Sequence, residues 1–237
     1  MKTLFRTPLF ILLFLAALPS FAEPPHNFQQ AKREASVIFD AHRQTLYCGC
    51  SYNQQHQVDL ASCNMETAKN NKRAARIEWE HMMPAENFGK QFKCWREAIC
   101  SKNGKPYKGR KCCEKIDGNF KQAEAELYNL WPAEGVVNEA RSNYRYAELA
   151  GNADFFGCSF KIDRKLRQVE PDDRIKGIVA RANLFMSDKY NIKLAPAQRQ
   201  LFEVWDQRFP PDAWEKQWAS QVSVIEGYEN PYIQSFG

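Results

Sequence analysis

The sequence predicts a mainly helical α+β fold, built as a single domain and cross-linked by disulfides. Apolar residues recur at helical spacing near the N-terminus and through the C-terminal third. Strand-like alternation is confined to short stretches, of which residues 75–80 are the clearest. The chain also has eight cysteines and an apolar N-terminal segment. This combination is typical of exported proteins, whose thiols oxidise.

The first 22 residues are predicted to form a secretory signal peptide. Lys2 and Arg6 precede an apolar run over residues 9–18, and Ser20-Phe21-Ala22 supplies the small-residue pattern of a signal-peptidase site. The run is too short to span a bilayer, and no later stretch reaches the roughly 20 apolar residues that a spanning helix needs. We therefore expect one mature domain, residues 23–237, in the periplasm or secreted, with no membrane partner.

Periodicity places the first elements in order. Residues 27–43 are predicted to form an amphipathic helix, and residues 46–50 a short strand. The central strand at residues 75–80 must end before Pro84, because proline cannot continue a hydrogen-bonded ladder. A short helix over residues 120–130 then leads into an extended segment.

Helices are predicted for most of the remaining chain. One covers residues 134–149 and places Asn138, Arg141 and Arg145 on a common face. The C-terminal third contains three more helices, which we expect to provide packing rather than chemistry. Their start signals are Asp172 or Asp173, Pro196, and Asp212 with Glu215, and Gly227 can end the last of them.

The eight cysteines are predicted to form disulfides. Zinc sites usually pair cysteines and histidines in knuckles such as Cys-x2-Cys, which this sequence lacks. The export signal also places the chain where thiols oxidise. The pairing stays open at this point, although the adjacent Cys112 and Cys113 should have separate partners.

Positive charge is concentrated in residues 90–121, which we call the basic lobe. The lobe contains ten lysines and arginines and three acidic residues, a net charge of +7, whereas the whole chain has +5. Four aromatic residues lie among these charges, a mixture that suits a polyanion with stackable bases. Residues 90–117 show no sustained periodicity, so we expect a long functional loop. The alternative is a solvated, disulfide-stapled loop without a ligand.

The end of the central strand carries the strongest chemical signal. Glu80 and His81 are neighbours on a strand, so both can serve one site only if the backbone bends there, and Pro84 makes such a bend plausible. A carboxylate that holds a cation beside an imidazole that takes a proton from water is the arrangement used in metal-assisted hydrolysis. Alone, the pair is weak evidence, because a surface Glu beside a half-buried His is common.

Further residues give the chain a resemblance to the bacterial endonuclease I family. These are periplasmic or secreted nucleases of the ββα-metal, or His-Me finger, class. The resemblance covers nearly all of the predicted mature chain and implies a ββα-metal core made of residues 77–80, 130–132 and 134–149. The residues that carry it are Glu78-Trp79-Glu80-His81, Pro84-Ala85, Phe88-Gly89, Cys94-Trp95, Asn129-Leu130, Pro132, Val137-Asn138 and Asn230-Pro231-Tyr232.

The same resemblance implies the roles of individual residues. His81 would be the general base acting on water, and Glu80 with Asn138 would hold one Mg²⁺. Arg110 would grip the scissile phosphate. Lys111 is the alternative phosphate ligand, because the doubled cysteine that follows it departs from the family pattern and puts the alignment of this segment in doubt.

The substrates implied are DNA and RNA, cut without sequence preference to leave 5′-phosphate ends, by a chain that we expect to act as a monomer. Contacts to nucleic acid are assigned to Lys105, Lys108, Lys111, Arg141 and Arg145.

Three other classes of function compete with this interpretation. A zinc peptidase would need a second histidine near His81, which the sequence does not supply. A glycosidase using Glu78 and Glu80 would have no use for the basic lobe. The strongest alternative is a secreted nucleic-acid-binding protein without catalysis, which would keep the lobe but need no combination of Glu80, His81 and Asn138.

Overall fold

The centre of the fold is an antiparallel pair of strands covered by one helix. The structure, a computed structural model, describes residues 23–235, so the predicted signal peptide at 1–22 lies outside the described residues. The strands are β1 (Ile77–His81), β2 (Cys100–Lys102), β3 (Lys105–Tyr107), β4 (Leu130–Glu134), β5 (Arg145–Tyr146), β6 (Lys161–Asp163) and β7 (Gln168–Glu170). The helices are α1 (Phe28–Ile38), α2 (Ala85–Gly89), α3 (Lys93–Arg96), α4 (Arg110–Ile116), α5 (Gly118–Ala125), α6 (Gly135–Arg141), α7 (Asp173–Lys189), α8 (Pro196–Arg208), α9 (Ala213–Glu226) and α10 (Pro231–Gln234).

Strands β1 and β4 pair in a register that joins Ile77 to Glu134 and His81 to Leu130. Helix α6 follows β4 directly and packs against both strands. The close packing requires a glycine at the start of α6, because a Cβ on Gly135 would lie 2.5 Å from the carbonyl oxygen of Arg73. These three elements fix the positions of Glu80, His81 and the residues of α6.

The helix predicted over residues 134–149 is too long. Helix α6 ends at Arg141, and Ser142 takes a positive φ of 52° that cannot continue a helix. Residues after it enter a three-stranded sheet in which β7 lies between β5 and β6. Of the apolar residues in the predicted helix, Val136, Val137 and Ala140 are buried on α6, whereas Tyr146 is buried on β5.

The basic lobe is more ordered than the long loop that the sequence predicts. It contains α3, the hairpin of β2 and β3, and α4. These elements are too short and too rich in lysine to show a periodic pattern of apolar residues. Cys94 pairs with Cys113, and Cys100 pairs with Cys112. The prediction that the adjacent cysteines have separate partners is confirmed. Both bridges stay inside the lobe, so they hold it together independently of the main core.

Of the other two disulfides, one lies within the N-terminal part of the chain and the other links it to the second half. Cys50 pairs with Cys63, and Cys48 pairs with Cys158 across 110 residues of chain. The short strand predicted at residues 46–50 is wrong: this segment forms a turn in which Gly49 has a φ of 69°. Because of this turn, Cys48 and Cys50 point in different directions and reach different partners.

The three predicted C-terminal helices are present as α7, α8 and α9, and each contributes buried side chains to the main core. Asp172 and Asp212 cap α7 and α9 by accepting hydrogen bonds from the backbone, and Gly227 ends α9 with a φ of 76°. Trp205 and Trp218 are almost completely buried. Of the helices within residues 23–235, none has the length and apolar character needed to cross a membrane.

Candidate active site

The predicted catalytic pair lies at the end of β1, where the chain turns away from the sheet. The turn is held by Asn129, a buried residue just before β4. Its side-chain oxygen accepts a hydrogen bond from the backbone N–H of Met83 (2.6 Å), and its amide nitrogen donates to the carbonyl oxygen of the same residue (3.0 Å). The side chain of Asn129 thus makes the two hydrogen bonds that a neighbouring strand would make to Met83. The ladder cannot continue beyond this point, because Pro84 has no N–H to donate.

His81 has a defined tautomer. Its Nε2 lies 2.8 Å from the carbonyl oxygen of Glu124. A carbonyl oxygen can only accept, so Nε2 carries the proton and Nδ1 of the neutral ring keeps its lone pair. Burial lowers the pKa of His81 to about 3, and the positive charges of Arg110 and Arg141 add to this effect. The imidazole is therefore neutral near pH 7 and able to accept a proton at Nδ1.

Arg110 lies beside His81 and is held by two carboxylates. Its Nε is 2.5 Å from Glu124 Oε1 and 3.3 Å from Glu114 Oε1. Burial raises the pKa of Glu124 to about 6, against the opposing charge of Arg110. Arg110 is the first residue of α4 rather than part of a loop. Lys111 follows it and is largely exposed.

Phe28, near the start of the helix predicted over residues 27–43, is part of the same site. Its ring centroid lies 4.7 Å from that of His81, and the guanidinium carbon of Arg110 lies 5.2 Å from the Phe28 centroid. A cavity of about 850 Å³ opens at this point, lined by Phe28, Lys32, Arg110, Lys111 and Lys121 among others. Sequence gives no signal for this role, because Phe28 has the spacing of an ordinary core residue on α1.

Glu80 points to the opposite side of β1 and is buried. Its Oε1 accepts a hydrogen bond from the Tyr47 hydroxyl (2.6 Å) and forms an ion pair with Arg141 Nη1 (3.0 Å). Burial raises the pKa of Glu80, and the charge of Arg141 and the Tyr47 hydrogen bond oppose this rise. Both contacts use Oε1, which leaves Oε2 as the oxygen that can face a cation.

Asn138 lies on the face of α6 that covers β1. Its amide nitrogen donates to Glu78 Oε2 (3.3 Å), so the amide oxygen is directed away from this carboxylate. Glu78 and Glu80 share one face of β1, and Asn138 and Arg141 share one face of α6. The structure thus sets Asn138 opposite Glu78, and Arg141 opposite Glu80.

A cation site made from these residues would have few protein ligands. Within residues 23–235, no three His, Cys, Asp or Glu side chains converge as metal ligands. The donors that Glu80 and Asn138 offer are a carboxylate oxygen and an amide oxygen, on the two facing surfaces of β1 and α6. Mg²⁺ prefers oxygen ligands and retains several waters. The chemistry of this donor pair therefore fits Mg²⁺.

The prediction that Arg141 contacts nucleic acid is corrected by its burial. Arg141 is only 1% exposed, and its guanidinium donates to the carbonyl oxygens of His81 and Met82 as well as pairing with Glu80. Arg145 does not share its face, because α6 has already ended; it lies exposed on β5.

The predicted lysines of the basic lobe occupy two different environments. Lys105 and Lys111 line an open cavity of about 630 Å³, together with Lys102, Lys115 and Tyr107. Lys111 also lines the cavity beside His81, so the two basic surfaces are continuous. Lys108 instead donates to the carbonyl oxygen of Arg96 (2.9 Å), outside both cavities.

The chain is similar to known proteins over almost its whole length. An extracellular deoxyribonuclease of Aeromonas hydrophila is 40% identical over 95% of this chain and 95% of its own length. A periplasmic deoxyribonuclease of Aeromonas hydrophila is 36% identical over 94% of this chain and 92% of its own length. Endonuclease-1 of Buchnera aphidicola subsp. Acyrthosiphon pisum is 38% identical over 87% of this chain and 80% of its own length. The family model for Endonuclease I matches residues 27–236, and the chain belongs to this family.

Proposed function

We propose that this protein is an exported endonuclease that hydrolyses the phosphodiester bonds of DNA and RNA without sequence preference. The names of its relatives support the substrate class and the compartment, since they include extracellular and periplasmic deoxyribonucleases. In this proposal, β1, β4 and α6 form a ββα-metal core, and His81 is its general base.

The observation that carries the proposal is the hydrogen bond from His81 Nε2 to the Glu124 carbonyl oxygen. With Nε2 as the donor in this bond, Nδ1 is the nitrogen that would take a proton from an attacking water. Because burial also keeps the imidazole neutral, the ring need not lose a proton before it accepts one from water.

Arg110 is proposed to bind the scissile phosphate. Its two carboxylate contacts both use Nε, which leaves the two terminal nitrogens of the guanidinium for a phosphate. The cavity beside it is lined by further lysines, so a polyanion would be attracted to the position where His81 acts.

Glu80 and Asn138 are proposed to hold one Mg²⁺. Such a cation, when bound, would neutralise charge on the phosphate and on the leaving 3′ oxygen. Arg141 would then position Glu80, because it fixes one carboxylate oxygen and leaves the second free to act as a ligand. Since water is the nucleophile, no 2′-hydroxyl is required, and the products would carry 5′-phosphates.

The test is cleavage of plasmid DNA and of an RNA of matched length, by wild type and by His81→Ala, with Mg²⁺ or with a chelator. We expect His81→Ala to lose at least 100-fold of the rate, in the range typical of a lost general base. His56→Asn is the matched control, because His56 lies outside the site and has a positive φ of 62° that Asn tolerates.

A folded His81→Ala protein that cuts as fast as wild type would remove His81 from the mechanism. Wild type that binds DNA but cuts neither substrate under any metal condition would instead favour a non-catalytic nucleic-acid-binding protein.

A further inference from the structure

A second cationic groove lies beside α2, and Lys90 and Gln91, at the start of the basic lobe, are among the residues that line it. It has a volume of about 590 Å³ and is formed by α2, β5 and the turn between α7 and α8. Three cationic residues and four side-chain amides line it, among them Asn87, Arg145, Lys193 and Gln198. The described residues that line it include no carboxylate, whereas the cavity beside His81 contains two.

Two of the three positive charges of this groove have no carboxylate partner among the described residues. Within residues 23–235, neither Arg145 nor Lys193 forms an ion pair, and both are exposed. The third cation, Lys90, is paired with Glu86 (2.5 Å). Unpaired cations that share a concave surface with amide donors and acceptors provide contacts that phosphates and sugars accept.

The groove is joined to the catalytic end of β1 through α2. Phe88 of α2 lies 6.0 Å from the His81 ring, centroid to centroid, while its neighbour Asn87 lines the groove. Helix α2 also packs against α4, which carries Arg110. Helix α2 therefore contacts both the groove and the helix that carries Arg110, and it begins shortly after the proposed general base.

Two contacts fix the walls of the groove. Gln91, two residues after α2, donates from Nε2 to the carbonyl oxygen of Tyr190 (3.4 Å), which ties the segment after α2 to the turn after α7. On the other wall, the Asn143 side chain bonds to Glu86, which ties α2 to the segment that leads into β5. The cations thus project from a framework that is held in place without a ligand.

We propose that this groove binds the phosphodiester backbone of the nucleic acid beyond the point of scission. A substrate strand, or the second strand of a duplex, would then be held on both sides of His81, by the basic lobe and by the groove. This inference rests on the proposed nuclease function and adds a second, separate contact surface to it.

The test measures how binding depends on salt. In the background of His81→Ala and without divalent cations, binding of a 30-base-pair DNA duplex and of its single strand is measured over a range of salt concentrations. Each phosphate contact contributes about 0.9 to the slope of log K against log salt for duplex DNA and about 0.7 for single strands. Replacing Arg145 and Lys193 together by Gln should therefore reduce the duplex slope by about 1.8.

The salt slope measured with single-stranded DNA shows which strand of a duplex occupies the groove. A reduction of about 1.4 in its slope as well would place the cleaved strand there. An unchanged single-strand slope, with the duplex slope reduced, would place the second strand there.

The matched control is Arg208→Gln with Lys216→Gln, one exposed arginine and one exposed lysine on α8 and α9. This pair should leave both slopes unchanged. Lys105→Gln with Lys111→Gln tests the basic lobe in the same way. If the lobe pair lowers the slopes and the groove pair does not, the groove inference is wrong and the proposed function stands. If neither pair does, the proposed binding surface is itself wrong.

Discussion

The buried ion pair between Arg141 and Glu80 provides a prediction whose size can be worked out from the structure. Replacing Arg141 by Met keeps much of its volume but leaves the Glu80 carboxylate buried with only the Tyr47 hydroxyl as a partner. It also removes the donor to the carbonyl oxygens of His81 and Met82. Because both charged side chains are at most 4% exposed, solvent does not screen the loss. We expect a cost of about 3 to 5 kcal/mol in the free energy of unfolding.

The assay is urea denaturation of Arg141→Met and wild type near pH 7, followed by the same comparison at lower pH. Without Arg141, the pKa of Glu80 should rise further above its unfolded value. The cost should therefore be greatest above the folded pKa of Glu80 and become smaller as pH falls and the carboxyl is protonated.

Pairing Arg141→Met with Glu80→Gln provides the control. The neutral Gln side chain still accepts from Tyr47, so the double variant should be less destabilised than the sum of the single variants. A loss below 1 kcal/mol for Arg141→Met, with the same value at every pH, would refute the reasoning that Glu80 depends on Arg141 for its charge.

Three further predictions concern stability and activity. Phe28→Ala should lower the rate of DNA cleavage about tenfold while Phe28→Tyr retains it, because the ring packs on His81; equal rates would exclude this role. Removing the Cys48 to Cys158 bridge should cost about 4 to 5 kcal/mol in urea unfolding, since it closes 110 residues; an unchanged midpoint would contradict this. Burial raises the pKa of Glu226 to about 8, so the folded protein loses stability as pH rises from the unfolded-state pKa of this group through about 8. Glu226→Gln should therefore melt at a higher temperature than wild type at pH 9 but not at pH 4, and an equal difference at both pH values would contradict this.

The positions of the strongly periodic elements could be predicted from the sequence. The central strand, α1 and the C-terminal helices all have patterns long enough to be read, and Asp172 and Asp212 mark their helix starts by capping chemistry. The end of α6 could not be predicted, because Ser142 gives no local signal for its positive φ. That conformation is favoured by pairing of the following residues with β7, a contact distant in sequence.

The residue types at the site were easier to predict than their directions. Sequence places Glu80 beside His81, but only the fold shows that Arg141 turns inward to Glu80 rather than outward to a ligand. Lys108 shows the same limit, since its bond to the Arg96 carbonyl depends on how α3 and the β2–β3 hairpin meet. A charged residue in a sequence does not reveal whether its partner is a ligand or the protein.

The partner that orients His81 is a main-chain oxygen, and this has a consequence for how the protein tolerates mutation. Any residue at position 124 presents the same carbonyl, so substitution there changes the pairing of Arg110 and leaves the imidazole tautomer as it was. A scan of single side-chain replacements would therefore not detect the contact that orients the His81 ring. Only changes that shift the path of α5, such as an inserted proline or a deleted residue, would expose it.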